Sequence, residues 1–194
     1  FEAVPQPGLG GRKGYQPRGK VLGGSSSINA MAYIRGHRMD YDEWASLGNS
    51  GWSYDEVLPY FKRAEDNRRL KDVFHGQGGP LVVSDLQTDN PFQQHYLDAA
   101  KQVGYPISTD FNGAEQEGVG LYQVTQENGE RWSAYRGYIK PHLDTRRNLH
   151  VETDALTQRI LFEGKRAVGV EYRQRGRVMT VRANKEVILS AGAF

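Results

Sequence analysis

Chemistry-bearing residues are densest in the stretch Arg18-Gly19-Lys20-Val21-Leu22-Gly23-Gly24-Ser25-Ser26-Ser27-Ile28-Asn29. Two consecutive glycines permit positive φ angles and remove side-chain bulk, so the main chain there can approach a ligand closely. Three serines and an asparagine add short donors. A helix beginning near Ser26 or Ser27 would aim its free amides into the same concavity, and that combination suits a pyrophosphate. The residues alone leave a second reading open, because a Gly-Ser-rich stretch opening a helix also serves as a plain flexible linker.

Other reactive residue types are scattered. His37, His75, His95, His142 and His150 show neither metal-ligand spacing nor a nucleophile-triad pattern, so structural or surface roles are expected and no metal ligand is assigned. His75 stands in a Gly-rich turn, where a side-chain hydrogen bond fixing the loop is expected. Trp44, Trp52, Tyr60 and Phe61 could wall an ammonium group, but their helical setting favours core packing. Asp40, Asp42 and Glu43 form a carboxylate cluster that complements the dipole of an expected helix. Asn67–Lys71 reads as a basic solvated loop. Cysteine is absent, which excludes disulfides, thiol catalysis and a Cys-based zinc site and is compatible with a reducing compartment. The net charge of +2, with both signs interleaved, offers no electrostatic argument for nucleic acid or an anionic membrane as partner. No apolar run approaches the roughly 20 residues that span a bilayer.

The elements that must position these residues follow from periodicity. Residues 1–24 read as an ordered, glycine- and proline-rich loop. A helix is expected after it, since Ile28, Met31 and Ala32 fall on one face at helical spacing. Asp40–Leu47 reads as a short helix closed by Gly48. Ser53 and Glu56 form a capping-box signature for Tyr54–Glu65, with Pro59 predicting a kink or two short helices. Leu81–Ser84 reads as a short strand, and Asn90-Pro91 starts a helix that Gly104 closes. Phe92, Tyr96, Ala99, Ala100 and Val103 supply its apolar face. Tyr105–Gly120 is loop-like, and Ser133 caps a helix to about Leu143. From Leu149 the period becomes two, predicting strands at 149–153, 156–162, 167–173, 178–183 and 186–190. Glu163-Gly164-Lys165 and Gln174-Arg175-Gly176 are hairpin turns. Helices first and a β-meander with a final buried strand afterwards predict an α+β piece, or part of a mixed α/β domain. Both termini, Phe1-Glu2-Ala3 and Ala191-Gly192-Ala193-Phe194, read as cuts through a longer protein.

Position by position, the Gly19–Asn29 stretch resembles the first signature of the glucose-methanol-choline (GMC) oxidoreductase family. The pattern continues through Tyr33, Gly36 and Asp42. It recurs in Asp40-Tyr41-Asp42-Glu43-Trp44, Gly51-Trp52-Ser53-Tyr54, Leu58-Pro59-Tyr60-Phe61 and His75-Gly76-Gln77-Gly78-Gly79-Pro80. Phe111-Asn112-Gly113, Gly118-Val119-Gly120 and Arg166-Ala167-Val168-Gly169-Val170 follow it, and a second signature starts at Gly192-Ala193. Essentially the whole chain is covered, and the pattern is similar to that of bacterial choline dehydrogenases and related FAD-linked primary alcohol dehydrogenases.

The resemblance implies FAD as cofactor and oxidation of the CH–OH group of a primary alcohol, choline or another, to an aldehyde. It implies that Val21, Gly23, Gly24, Ser25 and Asn29 line the flavin and its pyrophosphate, with Asn29, Ala30, Met31 and Ala32 passing the isoalloxazine ring. Thr157 would meet the adenine, and Ala191 and Gly192 the adenosine or diphosphate. Some relatives attach FAD through a histidine just before the signature asparagine. Here that position is Ile28, which has no nucleophile, so non-covalent FAD is expected. The family's Gly-x-Gly-x-x-Gly turn is missing from this chain, and its catalytic histidine is expected beyond residue 194, so no catalytic residue is assigned. The family places Arg131-Trp132-Ser133 near the joint between flavin and substrate lobes, although a structural role is favoured there. Residues 1–80 are read as the FAD-binding loop with flanking helices, 81–130 as part of a substrate lobe, and 131–194 as a return to the FAD-binding domain. The implied setting is cytoplasmic, with the parent protein able to associate peripherally with the inner membrane face. The alternative reading is that the isolated chain is a flavin-free domain without activity, acting only as a weak nucleotide-binding or interaction module.

Overall fold

The computed structural model describes residues 2–192 and divides the chain into two units, Phe1–Arg146 and Arg147–Phe194. In the first unit, α1 (Arg38–Ser46) starts at His37, whose ring nitrogen accepts from Met39 N, while the Asp40 carboxylate takes the His37 amide at 2.7 Å. Gly48 follows with φ 97°, the left-handed exit expected of a glycine at a helix end. Helix α2 (Tyr54–Ala64) opens with a reciprocal capping box between Ser53 and Glu56. Asp42 tethers its first turn by accepting from Tyr54 N at 3.0 Å. Pro59 lies inside a single continuous helix, which excludes the split into two short helices and leaves the one-helix alternative read from sequence. The carbonyl it deprives of a donor is that of Asp55, which is exposed, so water can satisfy it.

Helices α1 and α2 enclose a small core of Tyr41, Tyr54 and Val57, with Leu58 and Phe61 packed against it. Tyr41 meets Trp44 and Phe61 edge-on at 5.5 and 5.7 Å between ring centroids. Of the four aromatics weighed as a cage, Phe61 joins this core, whereas Trp44, Trp52 and Tyr60 remain about half exposed.

Strand β1 (Glu65–Asn67) continues directly from α2 and pairs in parallel with β2 (Leu81–Val83). Val82, Val83 and Val124 are fully enclosed beside it. Helix α3 (Pro91–Gln102) is capped by Asn90, whose side chain accepts from Phe92 N. Its predicted apolar face is largely uncovered: Ala100 is buried, but Phe92, Tyr96 and Val103 are exposed. Periodicity marks the face that can be buried, not the partner that buries it. Strands β3 (Gln126–Glu127) and β4 (Glu130–Arg131) form a hairpin around Asn128 and Gly129, both at positive φ as a type I′ turn requires.

Two expected helices are not regular. After Gly23 the chain makes one 3-10 turn, Gly24–Ser27, and then runs irregularly or extended, so Ile28, Met31 and Ala32 share no helical face. Asn29 Oδ1 takes the Met31 amide at 3.0 Å, and a side chain that captures a nearby amide competes with helix formation. Residues 133–143 form a π turn, Tyr135–Ile139, followed by a 3-10 turn, Lys140–His142. Ser133 Oγ does accept from Arg136 N, but Pro141 cannot donate to a preceding turn.

The second unit is an antiparallel meander of β5 (Ala155–Glu163), β6 (Arg166–Gln174) and β7 (Arg177–Arg182), in the order β5-β6-β7. Gly164-Lys165 and Arg175-Gly176 are its two-residue turns, and both residues of the second take positive φ. The expected strand at 149–153 is not formed. Asp154 alone separates it from β5, too short a connection for a hairpin, and β6 is already paired on both edges. The expected buried strand at 186–190 is also absent, and Ile188 and Leu189 stand exposed. A strand exists through its ladder partner, and no described strand pairs with that segment. The helix-then-meander order agrees with the mixed helix-and-sheet class read from sequence.

Candidate cofactor site

The Gly19–Asn29 loop is built by its own short side chains. Gly19 N donates to Ser25 Oγ at 3.2 Å, Ser26 Oγ to Gly23 O, and Ser27 Oγ to Leu22 O at 2.8 Å. Gly23 and Gly24 both adopt positive φ, at 88° and 56°. A Cβ on Gly19 would lie 2.1 Å from the Gly24 carbonyl oxygen, so glycine is obligatory for the base of the loop to close. A Cβ on Gly23 would lie 2.6 Å from Ser27 Oγ and 3.2 Å from Tyr135 Cβ. A Cβ on Gly24, by contrast, meets no protein atom within 4 Å. Gly24 therefore serves the outer face of the turn, and Gly19 and Gly23 its inner packing. Among the described residues, no hydrogen-bond acceptor is recorded for the amides of Gly23 and Ala30.

Three later segments hold this loop. Ala32 bridges Val124, Tyr33 N donates to Gln123 O at 2.9 Å, and Thr125 N donates to Met31 O at 2.9 Å. Ser26 Oγ accepts from Ala134 N at 2.9 Å. Arg131 reaches back through Nη1 to Ser26 O at 3.2 Å, Asn29 O at 2.7 Å and Asn29 Oδ1 at 2.9 Å. Sequence reasoning favoured a structural role for Arg131 and missed that it grips the candidate loop. No local signal places that guanidinium, because its acceptors lie more than a hundred residues away along the chain. Trp132 instead donates to Pro80 O at 2.9 Å and stacks under Arg136.

The sequence-predicted residues fall in both units. Val21, Gly23, Gly24, Ser25, Asn29, Ala30, Met31 and Ala32 lie together on the loop of the first unit. Thr157, exposed on β5 opposite Tyr172, lies in the second unit with Ala191 and Gly192. Ala193, part of the second signature, lies outside the described residues.

Behind the loop runs a buried polar network. Arg35 donates to Glu65 at 2.7 Å and to Phe74 O at 2.8 Å, and Arg35 N to Asn112 Oδ1 at 2.8 Å. Glu65 also accepts from Gly76 N and Asn67 Nδ2, and Asn67 exchanges hydrogen bonds with Gln123. Burial raises the Tyr33 hydroxyl pKa, and the nearby Glu65 charge adds to the rise. His75 is buried with Nδ1 2.8 Å from Asp72 Oδ1 and Nε2 3.5 Å from Asp110. Asp72, His75 and Asp110 thus gather three ligand-type atoms within 4.8 Å. Asp72 Oδ1 and Asp110 Oδ1 also accept the Phe74 and Asn112 amides, so the group serves to fix the loop, as expected for His75. No helix among the described residues is long and apolar enough to cross a membrane.

An open glycine turn braced by later segments is an arrangement that can receive an anionic group such as a phosphate. The GMC oxidoreductase profile matches residues 8–194, and the chain belongs to that family. It is 47% identical over 194 residues to the mitochondrial choline dehydrogenase of Mus musculus, covering all of this chain and 32% of that protein. It is 45% identical to the oxygen-dependent choline dehydrogenase of Brucella anthropi, again over the whole chain and 35% of the relative. The chain thus spans about a third of the length of these relatives. Among solved structures, an FAD-dependent oxidoreductase from Chaetomium thermophilum superposes with TM-score 0.91 at 32% identity, over 99% of this chain and 36% of that one. Pyridoxine 4-oxidase from Mesorbium loti superposes with TM-score 0.88 at 30% identity, over 96% of this chain and 37% of that one.

Proposed function

We propose that this chain forms part of an FAD-dependent oxidoreductase that oxidises a primary alcohol, choline or another, to an aldehyde. The observation that carries the reading is the turn at Gly23-Gly24, whose outer face meets no protein atom while its inner face is packed and braced. These residues fit the phosphate bridge of FAD, because two glycines carry no side chain and the Gly23 amide has no acceptor among the described residues, so the backbone can approach an anion closely. Bound FAD supplies the hydride acceptor. Val21, Gly23, Gly24 and Ser25 would hold the phosphates, and Asn29, Ala30, Met31 and Ala32 the ring. Thr157, Ala191 and Gly192 would meet the adenosine. Preorganisation by the Ser25, Ser26 and Ser27 hydroxyls lowers the ordering cost of binding.

On the same reading, 1–80 and 131–194 belong to the flavin domain and 81–130 to a substrate lobe. The attachment is non-covalent, since Ile28 offers no nucleophile. No residue of this chain is assigned as the base or as a metal ligand. The alcohol is a small molecule, no nucleic acid takes part, and the setting is cytoplasmic, with peripheral association at the inner membrane face open to the parent protein. The homology to choline dehydrogenases supports the alcohol substrate. A second reading, favoured by the exposure of Val21 and Ile28, is that the isolated chain binds no flavin.

The test is the visible spectrum of the purified full-length protein and of its Gly24→Val variant. Oxidised flavin bands are expected in the first and not in the second, and denaturation should release the flavin into solution. A fully flavinated Gly24→Val protein would refute the placement.

A further inference from the structure

We infer that Arg131 is a positioning residue of the flavin site, which turns the Asn29 amide so that its NH2 group, not its carbonyl, is offered to the ligand. This rests on the loop being the flavin cradle.

Asn29 Oδ1 receives two hydrogen bonds, from Arg131 Nη1 at 2.9 Å and from Met31 N at 3.0 Å. A guanidinium and a main-chain amide can only donate, so the side-chain atom between them must be oxygen. The amide is therefore oriented by chemistry. Its Nδ2 has no recorded hydrogen bond to another described residue, and Asn29 is exposed on the loop. Arg131 also holds the Asn29 and Ser26 carbonyls, so three acceptors converge on one nitrogen from across more than a hundred residues of chain. Met31 is held in the same device. Its φ of 63° is in the left-handed region that a side chain with a Cβ rarely adopts, and it is pinned by Asn29 at its amide and Thr125 at its carbonyl. Among the described residues, Arg131 forms no ion pair with a carboxylate. Its charge thus remains directed at the loop, where it favours a donor-presenting amide and an anionic ligand.

The proposal is tested in the full-length protein with FAD titrated against the apoprotein, following flavin fluorescence and the visible spectrum. Arg131→Met should weaken FAD binding about tenfold or more, the factor expected for one mispresented hydrogen bond. Added guanidinium ion at low concentration should restore part of it. Asn29→Asp can still accept from Arg131 and Met31 but replaces the NH2 donor with an acceptor. It should therefore weaken FAD about as much and shift the flavin bands while leaving the apoprotein's melting temperature near wild type. Combining Arg131→Met with Asn29→Asp should add little to either alone. An Asn29→Asp protein with the spectrum and FAD affinity of wild type overturns the inference even if Arg131→Met fails to fold. Gly24→Val separates the two levels: flavin lost there but unaffected in Asn29→Asp sinks this inference alone, whereas flavin kept in Gly24→Val sinks the cradle itself.

Discussion

The guanidinium of Arg35 lies 2.7 Å from the carboxylate of Glu65, with both side chains almost completely removed from solvent. This pair joins the segment after the cofactor loop to the start of β1, and both groups make further hydrogen bonds, although Arg35 Nε is buried without a partner among the described residues. Glu65 receives Gly76 N and Asn67 Nδ2 as well, and Arg35 also reaches Phe74 O. Burying two charges costs desolvation energy that the pair and its hydrogen bonds must offset. Removing one partner leaves the other charge stranded, so Glu65→Ala is expected to cost about 3–5 kcal/mol in urea unfolding. Replacing both, as Arg35→Met with Glu65→Leu, should recover a good part of that loss. A single variant as stable as wild type would show that the pair is open to water.

Glycine substitutions should separate packing from ligand contact. Gly19→Ala and Gly23→Ala force a new atom to within 2.1 and 2.6 Å of existing ones, so each should destabilise the protein without its cofactor. Gly24→Ala meets no protein atom, and its cost should be the conformational one of a side chain at φ 56°, about 1–2 kcal/mol. Thermal melting of the three apoproteins is the measurement. Equal losses at all three positions would contradict the division between the inner and outer faces of the turn.

Acid should weaken the protein through groups whose pKa is depressed on folding. For Asp72, burial pulls the pKa upward, but hydrogen bonds from His75 and the Phe74 amide outweigh it, and the net shift is down. For Glu56 the shift is also down, caused first by the Ser53 hydroxyl and then by the Ser53 amide. A depressed carboxylate contributes stability fully above its unfolded pKa, about 4, and loses it as pH falls through the lower folded value. Asp72→Asn should therefore destabilise at neutral pH, with the gap to wild type narrowing on acidification. Ser53→Ala should cost about 1 kcal/mol, the usual worth of a helix cap, and should flatten the same acid limb. Denaturant midpoints across a pH series are the measurement; a gap that stays constant or widens on acidification would contradict the assigned direction.

Local signals were legible in the sequence wherever one residue type solves a local problem. His75 fixing its turn, the Ser53–Glu56 box, Asn90-Pro91, Gly48 and the Arg175-Gly176 turn all act within a few residues, and all stand where the sequence placed them. The Gly23-Gly24 turn was legible for the same reason, and the family with it. What the tertiary structure alone decided is pairing. Whether residues 28–32 coil or extend depends on Val124 and Thr125, about a hundred positions away, and whether 186–190 is a strand depends on a neighbour to pair with. The same holds for Arg131, whose donors could have faced solvent equally well by any local rule. A guanidinium finds its acceptors through space, and spacing along the chain carries no record of which ones it meets.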